Sequence, residues 1–95
     1  LSNEPGYYRE GAYGIRIENL VLVEPASPIA GGDREMMSFE TLTLCPYDRR
    51  LIDVNALTPG ERAWIDAYHK RVREALAPGL DAAAKRWLAA ATAEV

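Results

Sequence analysis

The residue pattern changes from strand-like to helix-like near the middle of the chain, and this change restricts the fold more than any other feature. Before Asp48 the sequence is rich in valine, isoleucine, tyrosine, threonine and glycine, which favour strands and turns. Residues 75–93 are rich in alanine, which has the highest helix propensity. With 95 residues the chain has room for one domain at most. We therefore predict an α+β fold in which antiparallel strands precede helices.

Two segments of the first half show the alternation that is typical of strands. Residues 14–24 are apolar on both faces, so this strand is expected to be covered on both sides. The side chains on one of its faces are those of Ile15, Ile17, Val21 and Val23. Residues 25–33 contain two prolines and two glycines and predict a loop. A second strand is predicted over residues 38–46, where Pro46 ends the pattern.

The second half carries start and stop signals for two helices. Residues 58–61 (TPGE) form a capping box, in which the threonine hydroxyl accepts from a helical amide and the glutamate reaches back. This predicts a helix over residues 59–77. Its buried stripe is expected to contain Trp64, Tyr68, Val72 and Leu76. Asp81 is predicted to cap a second helix that ends near Thr92.

The composition excludes several classes of function. A net charge of −3 leaves no basic surface for nucleic acid. The longest apolar run, residues 20–23, is far too short to cross a membrane. Cys45 is the only cysteine, so an internal disulfide is impossible, and no signal peptide is recognisable. These features favour a reducing cytoplasm.

Two glutamates near the start of the chain are the strongest candidates for chemistry. If the flanking segments form a β-hairpin centred on Gly11, the residue numbers of each facing pair sum to 22, and Glu4 faces Glu18. Facing carboxylates repel each other, so a cation should lie between them. A divalent metal would fit, and so would Arg16 on the same strand face. The alternative is an asymmetric turn that leaves both carboxylates solvated.

Two further side chains with reactive groups, His69 and Cys45, are predicted to take no part in the chemistry. His69 lies off the apolar stripe, and no other histidine or cysteine is at ligand spacing. We therefore expect an exposed histidine, and we expect His69→Ala to leave activity nearly intact. Cys45 has no partnering base in the sequence pattern and is expected to be a small buried apolar residue.

Several segments of the chain resemble the carboxyl end of the Xaa-Pro aminopeptidases (aminopeptidase P), which are metallopeptidases of the pita-bread fold. The matching segments are residues 3–8 (NEPGYY), 14–19 (GIRIEN), 39–46 (FETLTLCP), 48–53 (DRRLID) and 57–59 (LTP). The last two are similar to the helical extension of the longer family members. The resemblance implies that residues 1–47 end the metallopeptidase domain and that residues 48–95 form the extension.

The resemblance also implies roles for individual residues. Glu4 and Glu18 match two of five ligands of a dinuclear centre, which holds divalent ions such as manganese or zinc. Glu4 would also move a proton of the bridging water, and Arg16 would support the site from beside the ligands. The other ligands, two aspartates and a histidine, lie upstream in the family and are absent from this chain. The chain alone is therefore expected to be inactive and without metal.

The activity implied for the intact parent is hydrolysis of the bond between an N-terminal residue and a following proline. Two other functions remain open. One is a metal-free relative with the same fold that binds proteins, and the other is a small interaction module made by the two helices. The presence of both Glu4 and Glu18 favours the enzyme. Because the strand faces are apolar, we expect a homo-oligomer or association with the rest of a parent chain.

Overall fold

The computed structural model describes residues 1–95, which divide into two compact units, Leu1–Thr43 and Leu44–Val95. The first unit contains the strands and the second contains the helices. The predicted α+β class, with antiparallel strands before two helices, is therefore confirmed. The unit boundary lies close to the predicted boundary after residue 47. The assignment of the two parts to a catalytic domain and its extension stays a prediction.

The first unit contains five antiparallel strands in two small sheets. The strands are β1 (Ser2–Asn3), β2 (Gly6–Arg9), β3 (Tyr13–Arg16), β4 (Asn19–Pro25) and β5 (Met37–Thr41). One sheet has the order β1-β4-β5, and the other is the β2-β3 hairpin. The predicted loop between the two long apolar segments is present between β4 and β5.

Both predicted strands differ from the observed ones. The first is interrupted at Ile17 and Glu18, because Ile17 is opposite Pro5, which has no N–H to continue the ladder. The Pro5 carbonyl still accepts a hydrogen bond from the Ile17 N–H at 3.1 Å. The second strand ends at Thr41, well before Pro46.

Very little of the first unit is buried within the chain. Its only buried side chains are those of Asn19 and Val21. Ile15, Ile17 and Val23 are 46, 49 and 45% exposed. The covering that their two-sided apolar pattern requires is therefore not supplied by residues 1–95.

We expect the purified 95-residue chain to self-associate. An apolar patch larger than roughly 400 Å² is seldom left bare on a soluble monomer, and most of the apolar side chains of the hairpin and of β4 are exposed. Light scattering across a concentration series should give a mass above the 10.5 kDa of one chain. A mass that stays at one chain throughout the series would contradict this expectation.

The second unit contains helices α1 (Pro59–Leu76) and α2 (Ala82–Ala91) and short 3₁₀ turns at Arg49–Leu51, Val54–Ala56 and Ala77–Gly79. Both hydrogen bonds of the predicted capping box are present at the start of α1. Asp81 accepts a hydrogen bond from the Ala84 N–H and caps α2, as predicted. No helix combines the length and the apolar character needed to cross a membrane.

The core of the second unit forms where the two helices and the segment before them meet. Tyr68, Val72 and Leu88 are its buried centre. The partly buried side chains around them are Leu44, Tyr47, Ala77 and Leu80. The predicted stripe of α1 is therefore correct in its middle, whereas Trp64 and Leu76 at its ends are exposed.

Candidate metal centre

The β2-β3 hairpin has the register that the sequence predicts. Its facing pairs are Gly6 with Arg16, Tyr7 with Ile15, Tyr8 with Gly14, and Arg9 with Tyr13, so each pair sums to 22. The turn is closed by a hydrogen bond from the Ala12 N–H to the Arg9 carbonyl at 3.1 Å. Gly11 has a φ of 68°, which glycine adopts without the steric cost of a side chain. The symmetric turn is therefore confirmed, and the asymmetric alternative is wrong.

The same register continues past the end of the hairpin. Strand β1 pairs with β4 through Ser2 with Leu20 and Asn3 with Asn19, which again sum to 22. Glu4 and Glu18 lie between these two ladders and are therefore opposite each other. Because side chains alternate along a strand, the two carboxylates share one face of the hairpin with four other residues. These are Gly6, Tyr8, Gly14 and Arg16.

Arg16 is the cation that this chain places between the two carboxylates. Its Nη1 lies 3.2 Å from Glu4 Oε2, and its Nε lies 4.0 Å from Glu18 Oε2. The Ser2 hydroxyl donates to Glu18 Oε1 at 3.4 Å. The side chains of Arg16, Glu4 and Glu18 are 51, 40 and 45% exposed, so the face is open. One guanidinium thus draws both carboxylates toward the same point.

The donor set of this face fits part of a divalent metal site. Carboxylate oxygens are hard ligands that suit manganese, magnesium or zinc. Two carboxylates are too few for a complete dinuclear site, and no group of three or more histidine, cysteine, aspartate or glutamate side chains in residues 1–95 could hold a metal. Other ligands would have to come from outside these residues.

His69 is not part of this face, and the prediction that it is exposed is wrong. The side chain is completely buried in the second unit, among Tyr47, Tyr68 and other residues of that unit. Its Nε2 accepts a hydrogen bond from the Tyr47 N–H at 3.1 Å. The cause is the segment before α1, which covers a side of the helix that the apolar stripe does not include.

The environment of His69 disfavours its charged form. Burial lowers the pKa of the imidazole, and the positive charges of Arg49 and Arg73 lower it further. The backbone of Ala93 and the Asp66 carboxylate act in the opposite direction. Since Nε2 accepts a hydrogen bond, the proton of the neutral ring is on Nδ1.

Cys45 is exposed, so the prediction of a buried thiol is also wrong. The backbone of Cys45, unlike its thiol, is held in place by two hydrogen bonds. The Tyr68 hydroxyl accepts from the Cys45 N–H at 3.3 Å and donates to the Cys45 carbonyl at 2.9 Å. These bonds fix the backbone next to α1 and leave the thiol on the outside.

Tyr8 lies on the carboxylate face, the face of the hairpin that carries Glu4 and Glu18, and the sequence motifs assigned it no role. It is 65% exposed and lies across the hairpin from Gly14. Gly14 is directly opposite Tyr8 and Gly6 is two residues before it on the same face, and this pair of glycines was the signal in the sequence.

Comparison with known proteins places the chain in a peptidase family. Residues 35–95 match the family described as the C-terminal region of peptidase M24. Aminopeptidase P1 of Lotus japonicus is 46% identical over 97 residues and aligns with all of this chain. A probable Xaa-Pro aminopeptidase P of Coprinopsis cinerea is 45% identical over 91 residues, which cover 93% of the chain.

A solved structure shares the fold. An X-prolyl aminopeptidase from Caenorhabditis elegans, described as a cytosolic enzyme with a dinuclear active site, superimposes with a TM-score of 0.84 at 32% identity. The match covers 99% of this chain and 16% of that enzyme. The chain also spans only 15% of each of the two relatives above. On the family match over residues 35–95, the chain belongs to the family of the C-terminal region of peptidase M24.

Proposed function

We propose that this chain is the carboxyl-terminal part of a longer metal-dependent aminopeptidase that cleaves before proline. The observation that supports this most directly is the convergence of Glu4 and Glu18 on one face of the hairpin, with Arg16 between them. The likeness to proteins named as Xaa-Pro aminopeptidases supports the substrate class, peptides with proline in the second position.

In this proposal Glu4 and Glu18 supply two of the ligands of a dinuclear centre. Bound divalent ions would acidify a water molecule and polarise the scissile carbonyl. The chain's own contribution is to place two carboxylates opposite each other at the open end of the hairpin, with Arg16 between them. Glu4 would additionally accept and return the proton of the attacking water, and Arg16 would keep both carboxylates oriented. Manganese is our first choice of metal and zinc is the second.

We propose that residues 1–47 complete the metallopeptidase domain and that residues 48–95 are its helical extension. The family match begins at residue 35 and therefore includes the last strand of the first unit. The exposed apolar face of the hairpin supports association with the rest of the enzyme or with a second subunit. A location in the cytoplasm is supported by the description of the C. elegans enzyme as cytosolic.

One observation favours a second function. Arg16 already offsets part of the repulsion between the two carboxylates within this chain, which favours a metal-free relative that binds proteins. Metal analysis of the longer protein distinguishes the two functions. Close to two divalent ions per subunit would support the enzyme, and none after dialysis against excess manganese would support the binding protein.

The isolated 95-residue chain is expected to hydrolyse no proline peptide. Only two carboxylates converge in it, and no cluster of three or more ligands is present. The measurement is release of the first residue from a peptide with proline in second position, with manganese, cobalt or zinc added. The longer protein, purified in parallel, is the positive control. Metal-dependent turnover by the 95-residue chain would overturn the proposed ligand count.

A further inference from the structure

Residues 92–95, which follow α2, form a strap whose main chain is bound by side chains from elsewhere in the second unit. Three charged side chains make these hydrogen bonds. Arg49 Nη2 donates to the Glu94 carbonyl at 2.6 Å, the Val95 N–H donates to Asp66 Oδ1 at 3.0 Å, and Arg73 Nη1 donates to the Thr92 carbonyl at 3.3 Å. The strap is therefore attached through its backbone, at its first residue and at its last two.

The strap covers one side of the buried His69 ring. Asp66, His69 and Arg73 are three and four residues apart, so they lie on one face of α1, and the strap is bound on both sides of the histidine. The main chain of Ala93 also acts on the imidazole as a hydrogen-bond partner. His69 is 0% exposed, and its Nε2 accepts from the Tyr47 N–H. The ring therefore lies between the strap and the segment before α1.

The charges around His69 are unbalanced. Arg49, from the segment before α1, and Arg73, from α1, are positive, whereas Asp66 is the one carboxylate that acts on the ring. A protonated imidazole would be a third positive charge beside a single negative one. Its Nε2 would also become a donor that points at the Tyr47 N–H, which is itself a donor. Both effects favour the neutral ring as long as the strap is closed.

Other titratable groups near the ring do not supply the missing negative charge. Tyr47 and Tyr68 face it with ring centroids 6.0 Å from that of His69, and a phenol is neutral below about pH 10. The charged side chains that the strap and α2 add are exposed, namely Glu94, Lys85 and Arg86. Protonation of His69 within the closed unit is therefore favoured by Asp66 alone among the neighbouring side chains.

We propose that residues 92–95 are a proton-sensitive strap, which lies closed on α1 while His69 is neutral and opens when this histidine is protonated. Opening exposes the imidazolium to water and ends its confinement between two arginines. The strap can open without unfolding the unit, because the buried centre of the core, formed by Tyr68, Val72 and Leu88, contains no strap residue. The strap requires neither a metal ion nor a peptide, so it is independent of the proposed function.

The test is hydrogen exchange of the longer enzyme, followed by mass spectrometry at pH 7.5 and pH 5.5 and corrected for the intrinsic exchange rate at each pH. Below pH 6.5 the open strap allows His69 to take up a proton that it does not bind in the closed unit, because burial and Arg49 lower its pKa. The protection of residues 92–95 should therefore fall about tenfold between the two pH values. A peptide from the middle of α1 should stay at least about tenfold better protected at both.

Two variants separate the trigger of the strap from its attachment. His69→Gln keeps an acceptor for the Tyr47 N–H but cannot be protonated near neutral pH, so the strap should be equally protected at both pH values. Arg73→Ala removes the bond to the Thr92 carbonyl, so the protection of the strap should fall about tenfold at pH 7.5. Arg86→Ala is the matched control, because it removes the same charge from an exposed position of α2. It should leave the protection of the strap unchanged.

Two results would contradict the strap. If residues 92–95 and the middle of α1 are equally protected and lose protection together, the unit opens only as a whole and no separate strap exists. If the strap opens separately but its protection is the same at both pH values, or changes equally in His69→Gln, then His69 is not the trigger. Should circular dichroism show that His69→Gln is unfolded, the pH dependence of the parent and the comparison of Arg73→Ala with Arg86→Ala decide the question.

Discussion

Glu4→Ala and Glu18→Ala are each expected to lower the turnover of the longer enzyme by about 1,000-fold or more. Each change removes an oxygen ligand of the proposed centre, and a metal-activated water and Lewis acid contribute several kcal/mol to catalysis. Each 1.36 kcal/mol corresponds to a factor of ten in rate. The measurement is kcat with a proline peptide at saturating manganese, together with the metal content of each purified variant.

Glu10→Ala is the matched control for these two variants. Glu10 is an exposed glutamate of the same hairpin, located in its turn between β2 and β3. Its replacement changes the net charge in the same way but leaves the carboxylate face intact, so turnover should remain near that of the parent. Comparable losses in all three variants would mean that charge or hairpin stability, and not metal ligation, is affected.

The register of the hairpin could be predicted from the sequence because every determinant is local. Gly11 permits the tight turn, and the alternation of side chains then fixes which residues face each other. From these two facts Glu4 and Glu18 must be opposite. The capping box at residues 58–61 was predictable for the same reason, since its partners are three residues apart.

The burial of His69 and the exposure of Cys45 could not be predicted in this way. Both depend on how the segment before α1 lies against the helix, a contact between residues more than 20 positions apart. The apolar periodicity of a helix predicts which face is buried only from the residues of that helix. It cannot show that a polar side chain will be covered because a backbone N–H of Tyr47 needs an acceptor there.

Whether metal ions bind the carboxylate face could not be predicted from the sequence for a different reason. The hairpin determines that two carboxylates converge, and elementary electrostatics requires a cation between them. Arg16 satisfies that requirement within residues 1–95. Whether metal ions add to it depends on ligands that this chain does not contain, so the register alone leaves the role of the pair open.

His69→Ala is expected to destabilise the second unit, in contrast to the neutral effect expected of an exposed histidine. The change would leave a cavity in a fully buried position and would remove the acceptor of the Tyr47 N–H. Together these losses should lower the free energy of unfolding by about 2–4 kcal/mol. Thermal or urea unfolding of the 95-residue chain measures the loss, and Lys70→Ala, at the exposed neighbouring position, should cost little.

The same histidine should make stability depend on pH below 6.5. Its pKa in the folded chain is lowered from 6.5 by burial and by Arg49, so the unfolded chain binds a proton that the folded chain does not. Stability is then complete above pH 6.5 and falls as the pH drops, by up to about 1.4 kcal/mol per pH unit. Asp48 titrates in a separate, more acidic range, because Arg50 holds the pKa of that carboxyl at about 2.

His69→Gln tests the cause of this slope. Glutamine retains an oxygen that can accept from the Tyr47 N–H but cannot take up a proton near neutral pH. In the native chain Arg49, Asp66 and Arg73 surround the imidazole, and protonation would convert Nε2 from an acceptor into a donor facing another donor. The variant should therefore unfold at nearly the same urea concentration at pH 5.5 and pH 7.5, while the parent loses stability at the lower pH. An equal loss in both proteins would assign the slope to other groups and leave His69 with a packing role alone.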